Sequence, residues 1–131
     1  MKNKKPSGQK HEFEQKDFFD YKDMINSWPY ENLYLKYVGD YQGDVVLLLK
    51  NGDDYGFFTI GYGSCSGCDA LEACNTREER VSLALDFKRN IKWRDKVNLI
   101  NYLKQENLEH EWFWYDEDMR AAINEVIELL E

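Results

Sequence analysis

Cys65, Cys68 and Cys74 are the only cysteines in this 131-residue chain, and all three fall in one stretch, GYGSCSGCDALEAC, at 61–74. Cys65-x-x-Cys68 has the knuckle spacing that lets two thiolates grip one Zn²⁺, with Cys74 as a third ligand. The fourth ligand would come from His110, Asp69 or Glu72, because the chain lacks the second cysteine pair of a Cys₄ site. The same pair, just before a helix start, has the placement that lowers a thiol pKa for redox work. A thioredoxin-like reading would need a βαβ unit, however, and the surrounding pattern is a strand meander. The amides of GSCSG could form an anion-binding nest, yet no Lys-Ser/Thr follows as a P-loop requires. The fourth reading is structural. Asp69-Ala-Leu-Glu72 has the form of a helix N-cap box with Asp in the capping place, and Thr76-Arg-Glu-Glu79 is a second one. The loop is then a tight turn between a strand end and a short helix. That reading needs no cofactor, and zinc on Cys65, Cys68 and Cys74 is its alternative.

No second array of reactive residues accompanies the cysteines. The two histidines, His11 and His110, form no Ser/His/Asp or Cys/His pattern readable from spacing, so the sequence predicts no enzyme. What it offers instead is a run of rings and carboxylates. WFWY at 112–115 is flanked by EHE and DED, a composition suited to an interface with aromatic anchors and an acidic rim. The predicted partner-binding residues are Glu109, Glu111, Trp112, Trp114, Tyr115, Asp116, Glu117 and Asp118.

Charge points to the kind of partner. The net charge is −8, but Lys2, Lys4, Lys5 and Lys10 give the first ten residues +4, which leaves −12 on the rest (−8 minus +4). From residue 105 onward the acids are Glu106, Glu109, Glu111, Asp116, Glu117, Asp118, Glu125, Glu128 and Glu131, against the single base Arg120. Such a surface repels a phosphate backbone, which proteins bind by neutralising it with Lys and Arg. It steers toward a basic surface on another protein. Direct nucleic-acid binding is therefore not expected.

The elements that must position these residues read as one domain. Residues 1–11 (Lys, Asn, Pro, Ser, Gly, Gln) predict a disordered basic tail, and 12–131 a single domain. Phe13, Phe18, Tyr21, Met24, Ile25 and Trp28 are spaced as a helix that Pro29 ends. NLYLKYV (32–38), GDVVLLLK (43–50) and YGFFTIGY (55–62) read as strands, the second apolar enough to be central or covered on both faces. Leu33, Leu35 and Tyr37 alternate there against Tyr34, Lys36 and Val38. The short Gly/Asn/Asp-rich connections force antiparallel pairing. Residues 76–93 predict a helix on Val81, Ala84, Leu85, Lys88 and Ile91. Residues 94–107 predict another on Val97, Ile100 and Leu103. EHEWFWY (109–115) reads as a short strand. Residues 116–131 close the chain as an amphipathic helix through Met119, Ala122, Ile123, Val126, Ile127 and Leu130, with Asp116 as its N-cap. The expected fold is α+β: a three-stranded antiparallel meander with helices packed on it and a C-terminal amphipathic helix. No run reaches membrane-span length and the basic start lacks an apolar h-region, so the expected setting is a cytoplasm.

The string YGFFTIGYGSCSGCDAL, within a stretch from about residue 38 to 93, resembles a segment of small, mostly uncharacterised proteins encoded by bacteriophages and prophages. The resemblance implies a phage accessory protein working in the cytoplasm of a bacterial host. Proteins of that kind bind and disable host factors, antiviral defence nucleases such as CRISPR nucleases among them.

Overall fold

The computed structural model describes residues 18–63, 69–110 and 116–131. The predicted tail at 1–11 lies outside the described residues. The elements are α1 (Tyr21–Asn26), β1 (Glu31–Gly39), β2 (Gly43–Asn51), β3 (Asp54–Tyr62), α2 (Arg77–Arg89), β4 (Trp93–Arg94), α3 (Lys96–Glu109) and α4 (Asp116–Leu130).

β2 organises them. Its residues 45–49 are all apolar and all at 0–1% exposure, and alternate side chains of a strand point to opposite faces. Val45, Leu47 and Leu49 enter one buried cluster with Tyr21, Met24 and Ile25 of α1 and Ala84 of α2. Val46 and Leu48 enter another with Leu99 and Leu103 of α3 and Met119, Ile123 and Val126 of α4. The sheet is thus filled from both sides, with helices on each face.

The sheet is antiparallel in the order β1-β2-β3-β4, one strand more than the predicted three-stranded meander. The extra strand is Trp93–Arg94, pairing Gly56 with Trp93 and Tyr55 with Arg94. It straddles the boundary between the helices expected over 76–93 and 94–107. The first of these helices stops at Arg89, where the Asn90 side-chain amide donates to the Asp86 carbonyl at 2.8 Å. The chain then passes so close to β3 that a Cβ on Gly56 would lie 2.6 Å from Ile91 Cγ2. Only glycine admits this approach.

Other departures have equally local causes. Of the helix expected from Phe13 to Trp28, residues up to 17 lie outside the described residues; the first described helix starts at Tyr21, where the Asp20 carboxylate caps it by accepting from the Asp23 amide at 2.8 Å. Phe18 and Trp28 flank it but still enter the core. In β1 a register shift between Asn32 and Tyr34 sends Leu33 to the same cluster as Tyr34, while Leu35 joins the opposite one. Simple alternation therefore fails at its first residue. In α2 the inward face is Leu83, Ala84 and Phe87, and Leu85 points out. In α3, capped by Asp95, Leu99 and Leu103 are buried and Val97 is 67% exposed. In α4 all six predicted core residues are buried. Asp116 occupies the first helical position instead of the cap. Glu109 is the last residue of α3 and His110 its C-cap, so the strand expected over 109–115 does not begin there. Its remainder, 111–115, lies outside the described residues.

Burial sets the ranking of substitutions. Leu47→Ala and Leu103→Ala, one for each face of the sheet, should each lower unfolding free energy by about 2–5 kcal/mol. Val97→Ala should change it by no more than about 0.5 kcal/mol. Urea denaturation of the three variants checks the assignment.

Candidate functional site

Two segments carried the chemical expectations, and each is flanked by a side chain that ties its ends together. The first is the cysteine stretch. Cys65 and Cys68 lie at 64–68, outside the described residues, so neither the knuckle, the redox pair nor the nest is placed. The residues on either side are fixed by Asp69. Its Oδ2 accepts from the Gly63 amide at 3.2 Å, and its Oδ1 accepts from the amides of Leu71 at 3.1 Å and Glu72 at 3.2 Å. The Tyr21 hydroxyl donates to the same Oδ1 at 2.6 Å and accepts from the Leu71 amide at 3.1 Å.

Asp69 therefore caps the single turn at 70–73, as its position before Ala-Leu-Glu predicts, and also joins strand end, turn and α1. Among the described residues Glu72 completes no box; Tyr21 supplies the second partner. The Thr76 box is complete: Thr76 Oγ1 accepts from the Glu79 amide at 3.1 Å, and Glu79 Oε1 accepts from the Thr76 amide at 3.2 Å.

Cys74 follows this turn, half-buried and not in a disulfide. Its thiol donates to the Ala70 carbonyl at 3.5 Å. Burial, with Glu79 nearby, pushes the thiol pKa up, the opposite of what a thiolate nucleophile or ligand uses. Among the described residues no group of three His, Cys, Asp or Glu side chains is arranged to hold a metal ion. Asp69, a candidate fourth ligand, already receives four hydrogen bonds through its two oxygens.

The second segment is the ring-and-carboxylate run. Glu111, Trp112, Trp114 and Tyr115 lie at 111–115, outside the described residues. Its two flanks are brought together by Arg120. The guanidinium donates through Nη2 to the His110 carbonyl and through Nε to Asp116 Oδ2 at 3.0 Å. Asn107 Nδ2 adds a 2.7 Å bond to Asn124 Oδ1. Arg120 thus ties the C-cap of α3 at His110 to the first residue of α4, Asp116. His110 Nδ1 lies 3.7 Å from Glu106.

The charges at this end are unbalanced. Glu109, Glu117 and Asp118 are exposed, and among the described residues none of them forms an ion pair. Lys36 and Lys104 instead neutralise Glu125 of α4 and Glu131 just beyond its end, at 3.7 and 3.2 Å. Glu117 and Asp118 stand in the first turn of α4, where a helix favours negative charge. Glu106 and Glu109 stand in the last turn of α3, which holds no base. There the helix dipole disfavours them.

Sequence reasoning missed Tyr21 as the partner of Asp69, because 48 residues separate them. It also missed Arg120 as a tie between helices, although the Asp116–Arg120 spacing was visible as an i,i+4 pair. No protein family, no curated protein and no solved structure matches the chain.

The Tyr21–Asp69 contact has a pH signature. Burial first, and the hydrogen bond to Asp69 second, push the Tyr21 hydroxyl pKa well above its ordinary value. The folded chain then holds that proton more tightly than the unfolded chain does. This stability is full below the unfolded value of about 10 and drains away as pH rises through the folded one. Tyr21→Phe should cost about 1–3 kcal/mol near neutrality. The gap between variant and wild type should close above about pH 10, as read by urea denaturation across that range.

Proposed function

We propose that the chain is a non-enzymatic interaction protein that binds a basic surface of another protein through the acid-rich end of α3 and α4. Glu109, Glu117 and Asp118 supply the exposed charge, and Arg120 sets the spacing of the two helix ends that carry them. The observation that carries this reading is Glu109. It is an exposed carboxylate in the last turn of a helix, without an ion-pair partner among the described residues. Folding alone would favour a lysine or arginine there. Local choices that oppose the fold tend to mark function.

The partner class follows from the charge. A net of −8 suits a groove lined by Lys and Arg, such as one that binds nucleic acid on a bacterial host protein, which the acidic face would occupy in place of phosphates. The resemblance to phage-encoded proteins supports the same direction, with an antiviral nuclease as one such target. Glu111, Trp112, Trp114, Tyr115 and Asp116 would complete the interface as anchors and rim. No described helix is long and apolar enough to cross a membrane.

Host lysate passed over the full chain and over a Glu109→Lys/Glu117→Lys/Asp118→Lys variant tests the proposal. The expected result is a protein retained by the wild type at low salt, released by added salt, and not retained by the variant. For an isolated partner, the loss should lie mainly in the association rate. Equal retention by both chains would overturn the reading. Elemental analysis of the purified protein should find no stoichiometric zinc. One zinc per chain would instead move the function to Cys65, Cys68 and Cys74.

A further inference from the structure

Tyr41 stands at the tip of the β1–β2 hairpin, 81% exposed, on a backbone that is tightly held. Gly39 has φ +106°, and a Cβ there would lie 2.5 Å from the Gln42 carbonyl oxygen. A Cβ on Gly43 would lie 1.8 Å from the Val38 carbonyl oxygen. The Asp40 amide donates across the tip to the Gln42 carbonyl at 3.3 Å. From β3, the Tyr62 hydroxyl reaches the carbonyls of Val38 at 3.1 Å and Asp40 at 3.4 Å. The turn is fixed while its largest side chain is left in solvent.

Among the described residues, the other exposed rings have partners. Arg80 lies 4.5 Å over Phe19, Arg94 lies 4.1 Å over Tyr102, and Tyr37 meets Tyr62 edge-on at 5.2 Å. Among the described residues Tyr41 has neither a ring nor a cation against it. Its immediate neighbour Asp40 is exposed and, among the described residues, forms no ion pair. Asp44 follows just beyond Gly43. An exposed ring and an exposed carboxylate on adjacent residues offer a planar cation both a face to stack on and an acceptor for its edge. Because the hairpin is already rigid, little ordering entropy opposes the contact.

We propose that Tyr41 and Asp40 form a docking point for an arginine side chain of a protein partner. It rests on the reading of this chain as an interaction protein with a basic partner, and it adds a contact on a different element from the α3/α4 end.

The test is an NMR titration of the labelled full chain with an end-blocked Gly-Arg-Gly-Arg-Gly peptide at low salt. The largest shifts should fall on residues 39–44. Tyr41→Ser and Asp40→Asn should each weaken binding about two- to fivefold, the range of an exposed cation–ring contact. An Asp53→Asn variant, changed at an exposed acid in the β2–β3 turn at the far end of the sheet, should bind as the wild type does. Shifts concentrated on residues 106–110 and 116–118 would overturn this docking point while leaving the acidic-face reading standing. An even spread of shifts, or unchanged binding by Tyr41→Ser, would overturn it too. Concentration-dependent shifts at 39–44 without peptide would replace the arginine with a second copy of the chain.

Discussion

Five consecutive apolar residues in β2, buried from both sides, are the constraint from which the rest of the molecule follows. Side chains at 45–49 alternate between faces, so a strand this apolar has no face it can leave to water. β1 and β3 satisfy its edges, α1 and α2 cover one face, and α3 and α4 cover the other. At roughly 25 cal/mol per Å² of apolar surface removed from water, two filled faces outweigh any single surface contact. The outer faces of the helices are therefore free to carry charge that contributes little to folding, and α4 carries the largest net charge of the described helices.

Within this frame two polar ties do similar work at different places. Asp69 gathers a strand end, a turn and α1 by accepting four hydrogen bonds, and Arg120 joins the ends of α3 and α4 by donating to both. Each spans the chain on either side of a segment the sequence had singled out, the cysteine stretch in one case and the ring-and-carboxylate run in the other. Fixing the ends of such a segment limits what its residues can reach. Hydrogen bonds to charged groups also exceed neutral ones in strength. Glu109 belongs to neither tie: among the described residues its oxygens accept only from Gln105 Nε2 of its own helix, at 3.4 Å, and no cation pairs with it.

Much of this was legible in the sequence, for reasons that differ by element. α4 could be read residue by residue because its apolar stripe is regular and its opposite face strongly charged. β2 announced itself by VVLLL. The Thr76 box was readable because its bonds are local. β4 was not, since two residues carry no period and the pairing depends on the missing side chain of Gly56. Val97 misled because it belongs to a helix whose register is set by Asp95, and Leu99 and Leu103 face the sheet instead. The proposed site was half legible: composition identified the acids and spacing showed the Asp116–Arg120 pair, but the bonds from Arg120 to His110 and from Asn107 to Asn124 span separations that no local period shows. Tyr41 went unnoticed because an exposed ring and a core ring are written the same way.

The central claim is that the acid at the end of α3 is kept for a partner at some expense to the fold, and one substitution separates the two roles. Glu109→Lys should be read for stability by urea denaturation at low ionic strength and for retention of a salt-sensitive host protein. If the account holds, stability rises by about 0.3–1 kcal/mol, because a cation replaces an anion at the helix C-terminus, while retention falls. Loss of stability together with retention, or a stability gain with retention intact, would contradict it.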